Sequence, residues 1–120
     1  MLSDVVAAID QSHCLGVMLS CVSPEIFSSA LSVLRSSGLP FGFKLNGFVT
    51  TQPKGGYSCQ MRSEVGQNPV DILGRRQDLK PEGFFSWVER FHAEGATILG
   101  GCCETRPAHI AALSPLLEHA

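Results

Sequence analysis

The sequence predicts an α/β fold built on a short parallel sheet, and three observations carry that expectation. Two segments share one helical frame, each opening on Pro-Glu and closing on a glycine fourteen residues after its proline. Short apolar runs flank both segments. The resulting order of helix, strand, helix, strand, helix, strand, helix calls for parallel strands joined by right-handed crossovers.

Taken along the chain, Val5, Val6 and Ile9 suggest the end of a first helix, and "LGVML" (15–19) reads as the first strand. In "CVSPEIFSSALSVLRSSG", Ser23 is a good N-cap, Pro24 suits the first helical position, Glu25 suits the positive end of the helix dipole and Gly38 is a stop. "FGFKL" (41–45) is the second strand and ends at Asn46. "LKPEGFFSWVERFHAEG" repeats the helical frame from Pro81 to Gly95, with Lys80 as a poor cap. "ATIL" (96–99) is the third strand, runs into Gly100-Gly101-Cys102-Cys103, and is followed by a helix opening at Pro107. Phe27, Leu31 and Leu34 in one helix, and Phe84, Val88 and Phe91 in the other, recur at four and seven residues and form one buried face each. Trp87 is expected in the core or at its rim.

Composition bounds the function. At 120 residues, 44% hydrophobic and 17% charged, the chain suits one modest core. A net charge of -2 and a pI near 6.0, with basic residues scattered apart from Arg75-Arg76, give no reason to expect nucleic acid or an anionic membrane as partner. No apolar run approaches the roughly 20 residues that span a bilayer. Asp4 and Asp10 stand near the start without a basic leader, so a cytoplasmic chain is expected. The connection from Gly47 to Lys80 far exceeds the roughly two to six residues usual between a strand and its helix. It is either a cover for a site or a plain insertion, with a helical turn near Val70 to Leu73.

The cysteines carry the sharpest chemistry. Five of them at positions 14, 21, 59, 102 and 103 do not make a secreted disulfide framework. Cys21, Cys102 and Cys103 each follow a strand end, where the loops of parallel α/β sheets converge. Adjacent cysteines rarely bond to each other, which leaves packing or a shared ligand. Three thiolates with an open fourth position are the ligand style of a catalytic zinc site, whereas closed four-ligand sites are structural. Gly100 and Gly101 are expected to allow unusual backbone angles, so that two successive residues face inward. Thiols acting as plain hydrophobes are the other reading. Cys14 and Cys59 read as a buried and a loop thiol. His109 reads as a capping or packing histidine in preference to a fourth ligand, and His13, His92 and His119 as surface or edge residues.

"AEGATILGGCCETRPAHIAAL" resembles the C-terminal signature of the homocysteine S-methyltransferases, in which Gly-Gly-Cys-Cys is followed by Thr, Pro and His-Ile. "LGVMLSCVSPEIF" is similar to that family's earlier Gly-Val-Asn-Cys segment and its Ser-Pro-Glu. The resemblance covers most of the chain and is weakest from Thr50 to Asp78. It implies a (β/α)8 TIM barrel of which this chain carries three strands, the sixth to eighth, so that residues 1–120 are an incomplete, C-terminal portion of a homocysteine-binding domain. It implies Zn2+ held by Cys21, Cys102 and Cys103, with homocysteine sulfur in the open position and methionine formed from a small methyl donor. S-methylmethionine, S-adenosylmethionine, betaine and a methylated corrinoid or folate are all donors of this family.

Asn46 matches an asparagine near the end of the seventh strand, where it would line the substrate pocket; a plain strand-end turn is the alternative. Ser20 stands where the family commonly has Asn, Glu104 where it has Gly, and Arg106 where it has Thr, and none of these removes a ligand. A full barrel takes about 250 residues. Three strands therefore imply two open edges, which a second chain supplying the missing strands would cover. The alternatives to an enzyme are a catalytically inactive fragment or interaction module completed by a second chain, and a redox sensor built on the cysteine pair.

Overall fold

Helix α2 (Pro24–Ser36) begins where the Ser23 hydroxyl accepts the Ile26 N–H at 3.3 Å and Pro24 presets the helical φ. Helix α3 (Pro81–Ala93) begins on the same Pro-Glu frame but has no side-chain cap at Lys80. Both stop as expected, at Gly38 with φ 71° and Gly95 with φ 112°, a region that favours glycine. The computed structural model describes residues 1–50 and 73–117. Its other elements are α1 (Leu2–Ala7), β1 (Val17–Val22), β2 (Phe41–Leu45), β3 (Ile98–Gly101), α4 (Pro107–Ala111) and α5 (Ser114–Leu117).

The strands form one parallel sheet in the order β1-β2-β3, with Val17 opposite Phe41 and Gly42 opposite Ile98. This bears out the expected alternation and leaves both sheet edges open among the described residues. Two strand boundaries shift. The first strand starts at Val17, whose N–H meets the Pro40 carbonyl at 2.8 Å, and extends to Val22, while Leu15 is left 97% exposed. The third starts at Ile98 because Ala96 is held under helix α3, its N–H on the Phe91 carbonyl at 3.0 Å. Helix α1 stops at Ala7, short of Ile9, and a single 3-10 turn (Gln11–His13) capped by Asp10 leads to β1.

Helices α2 and α3 cover one face of the sheet. Phe27, Leu31, Leu34, Phe84, Val88 and Phe91 are all buried, as their spacing predicts. Phe27 packs edge-on against Phe43 and Phe91, both at 4.8 Å between ring centres, and Phe43 and Phe91 lie 5.5 Å apart. Trp87 sits at the rim, against Phe91 and under the Arg90 guanidinium. Glu94 joins the helix ends, accepting from Arg35 at 3.0 Å and Arg90 at 3.2 Å.

The long connection leaves and rejoins the body at one place. Phe48 bridges Arg75, the Val49 N–H meets the Gly74 carbonyl at 2.8 Å, and the Arg76 N–H meets the Gly47 carbonyl at 2.9 Å. The helical turn expected near Val70 lies outside the described residues, apart from the buried Leu73. No helix among the described residues is long and apolar enough to cross a membrane.

Candidate metal centre

Cys21 reaches the site through an irregularity in its strand. Ser20 pairs with Lys44 and Val22 with Leu45, so Cys21 is the extra residue of a bulge, and its φ is 56°. Strict alternation would send Cys21 toward the helices, on the side of Val17 and Leu19. The bulge gives the core position to Val22, which is buried, and frees Cys21 from the core. A non-glycine residue at such φ costs about 1–3 kcal/mol and persists only where its surroundings hold it.

Cys102 and Cys103 are clamped by their backbones. The Cys102 N–H donates to the Leu45 carbonyl at 2.8 Å and its carbonyl accepts from the Thr105 N–H at 3.2 Å and from the Thr105 hydroxyl. The Cys103 carbonyl accepts the Gly47 N–H at 2.9 Å. The expectation for Gly100 and Gly101 needs correction, because neither has a positive φ. Gly101 is required for close approach, since a methyl there would overlap the Thr105 side chain, whereas one on Gly100 would meet only ordinary contacts at 3.6 Å and beyond. The left-handed residue of this turn is Glu104, at φ 63°.

The site therefore has a simple plan. Cys21 ends one outer strand, Cys102 and Cys103 follow the other, and the end of the middle strand bonds to both. Asn46, 2% exposed, donates its N–H to the Val22 carbonyl at 2.9 Å and its Nδ2 to Cys21 Sγ at 3.0 Å, while its Oδ1 accepts the Phe48 N–H at 2.7 Å. A cleft of about 660 Å³ opens beside Cys21 and Asn46, walled also by Ser20, Ile26 and Phe48.

The three sulfurs lie within 4.8 Å of one another, and those of Cys102 and Cys103 are 3.9 Å apart. Sulfurs about 2.3 Å from a tetrahedral zinc sit about 3.8 Å from one another, so the trio needs only a small contraction to fit that ion. Among the described residues no other group of three or more His, Cys, Asp or Glu side chains converges in this way.

Electrostatics separates the thiols. Burial, then the hydrogen bonds and charges of its two neighbours, pushes the Cys21 thiol up to about 11. Cys103 is raised by burial and then by Cys102. At Cys102 burial opposes ionisation, yet hydrogen bonds from Cys21 and Cys103 and the charge of Lys44 bring its thiol below the ordinary value. Of the three thiols, Cys102 therefore gives up its proton most readily. Lys44 was not singled out from the sequence. Its signal was the alternation in "FGFKL", where Phe43 and Leu45 are buried and Lys44 lies on the opposite face.

A family model described as homocysteine S-methyltransferase matches residues 1–117. The chain belongs to the homocysteine S-methyltransferase family. No curated protein matches the chain. All three converging thiols lie inside the matched range, as does Asn46.

The other candidates stand apart from the thiols. His109 is buried, its Nε2 donating to the Leu79 carbonyl at 2.9 Å and its Nδ1 accepting the Arg106 N–H at 3.0 Å. Both ring nitrogens are used, which is the capping and packing role expected of it. The half-buried Cys14 thiol donates to the Gly16 carbonyl at 3.1 Å. His13 is exposed beside Asp10, and His92 bonds the Ala96 carbonyl at 2.8 Å. Cys59 and His119 lie outside the described residues.

Proposed function

We propose that this member of the homocysteine S-methyltransferase family transfers a methyl group from a small donor to the thiol of homocysteine, forming methionine, at a zinc ion held by Cys21, Cys102 and Cys103. The convergence of three thiols from opposite ends of the chain, at separations close to those of a tetrahedral zinc site, carries this reading. Bound there, Zn2+ would supply the Lewis acidity that keeps a substrate thiol ionised at neutral pH.

The chain's own groups do the rest. The clamped turn at Cys102 and Cys103 fixes two sulfurs, and the bulge presents the third. Lys44 offsets part of the negative charge that three thiolates gather. With zinc held by these three residues, the substrate sulfur would bind beside them, and its lone pair would form the new S–CH3 bond while the donor leaves with the electrons of the old one. Lining the substrate pocket remains one proposed role for Asn46. The free thiols of Cys14, Cys21, Cys102 and Cys103 suit a reducing compartment such as the cytoplasm.

We read the sheet as the sixth to eighth strands of a TIM barrel, and residues 1–120 as the C-terminal portion of its domain. A second reading starts from the sheet edges left open among the described residues: the chain is inactive alone and gains its substrate site from a second chain that completes the barrel.

Metal analysis and a methyl-transfer assay test both. About one zinc per chain, released by chelator, and methionine formed from homocysteine and one of the family's donors are the expected results. Cys102→Ser and Cys103→Ser each abolish both. Zinc without turnover, with turnover restored by a chain carrying the remaining strands, supports the second reading. Turnover that survives the loss of either cysteine overturns the zinc assignment.

A further inference from the structure

We propose that a basic cleft between the returning end of the long connection and the turn after the thiols binds one phosphate group. The cleft has a volume of about 170 Å³ and is lined by Arg75, Arg76, Lys80, Glu104, Arg106 and His109. That is below the roughly 300–1,000 Å³ of a site that encloses a whole small molecule, and it suits a single oxyanion group. Basic residues that lie scattered along the sequence are gathered here, four of the chain's nine lysines and arginines against one lining carboxylate. The cleft stands apart from the zinc reading and does not rest on it.

The four cations are not equivalent. Arg76 is taken up by Glu25 and Asp78, both at 2.7 Å, whereas Arg75 gives only its Nε to Glu104, at 2.6 Å. Neither the Lys80 ammonium nor the Arg106 guanidinium is in an ion pair among the described residues. The walls that carry them are nevertheless fixed. Buried His109 accepts the Arg106 N–H at 3.0 Å and donates to the Leu79 carbonyl at 2.9 Å, which ties the turn after β3 to the residue before Lys80. Helix α3 opens on the same cleft at Lys80 and Pro81 without a capping side chain, so its positive end adds to the field. A phosphate there would meet a fixed backbone and unpaired cations, the chemistry by which arginine and lysine hold oxyanions. Glu104 and Arg106 are also positions where the chain departs from its family's usual Gly and Thr, so the family's shared chemistry does not account for them.

Calorimetric titration of the reduced full chain with inorganic phosphate, at constant ionic strength, tests the proposal. Saturable binding of about one phosphate per chain is expected. Arg106→Thr and Lys80→Gln should each weaken it about tenfold, and Glu104→Gln, which removes the one lining carboxylate charge, should tighten it. Cys102→Ser should bind phosphate as wild type does, which separates the cleft from any metal held by the thiols. Glycerol 3-phosphate binding more tightly than inorganic phosphate assigns the cleft to a phosphorylated small molecule, and the reverse order assigns it to the free ion. No saturable binding by wild type, binding that both Arg106→Thr and Lys80→Gln leave unchanged, or binding lost in Cys102→Ser overturns the proposal.

Discussion

Among the described residues two that are not glycine occupy the left-handed region, Cys21 and Glu104, and they stand at the two ends of the thiol site. At Glu104 the cost has a visible return, because its carboxylate accepts from Arg75 Nε at 2.6 Å and ties the cysteine turn to the returning end of the long connection. The backbone angle explains why the family commonly has glycine there. Removing the side chain therefore has two opposite effects, and their sizes can be separated. Glu104→Ala keeps the strain and loses a half-exposed ion pair worth about 0.5–1 kcal/mol, so its urea midpoint should fall. Glu104→Gly loses the same pair but sheds the strain, and should exceed the alanine variant by about 1 kcal/mol. Equal midpoints for the two would show that the turn is not held left-handed. The three converging cysteines were legible as residue types following strand ends. The bulge that aims Cys21 was not, since it depends on the register between β1 and β2, which no run of side chains in β1 alone encodes. The same holds for Gly101, whose need is created by Thr105 folding back onto it.

At the scale of elements, the helices were read closely because their starts and stops are punctuated locally by Pro24, Gly38, Pro81 and Gly95. The strands were shifted because their ends are set by partners, such as the Pro40 carbonyl that meets Val17. Helix α3 contains the sharpest conflict between local and tertiary demands. Gly83 lies in its first turn, where propensity alone favours alanine by about 1 kcal/mol. A methyl at that position would overlap the Asp78 carbonyl, which belongs to the 3-10 turn Gln77–Leu79 packed on the helix start. Backbone atoms cannot yield as a flexible side-chain end can. Gly83→Ala is therefore expected to destabilise the chain by about 1–3 kcal/mol, in the manner of an overpacked site, as read from its urea unfolding midpoint. A variant as stable as wild type, or more so, would mean that the turn can withdraw from the helix at little cost.

For the whole molecule, the question is what binds the long connection to the sheet ends where the thiols lie. The core does not, since its aromatic cluster sits on the helix-covered face. Arg76, with its side chain only 15% exposed, supplies the link: its N–H donates to Gly47, one peptide from Asn46, and its guanidinium donates to Glu25 at 2.7 Å and Asp78 at 2.7 Å. One residue thus joins the end of β2, the first turn of α2 and the turn before α3. Hydrogen bonds from Arg76 hold the carboxyl groups of Glu25 and Asp78 below their ordinary range, while the guanidinium stays charged throughout. The sign follows from those directions. Groups with depressed folded values stabilise the fold above their unfolded values, near pH 4.5 for Glu25 and 3.8 for Asp78, and lose that contribution as pH falls through the folded values. Because both carboxylates are more than half exposed, solvent screening limits the network to about 1 kcal/mol at neutral pH. Arg76→Met should therefore lower stability by about that amount at pH 7 in urea unfolding, and the gap from wild type should shrink as pH falls below the ordinary values of 4.5 and 3.8, and also in high salt at pH 7. A gap that is constant across pH would assign Arg76 a packing role and leave the connection held by its backbone hydrogen bonds and by the Arg75–Glu104 pair.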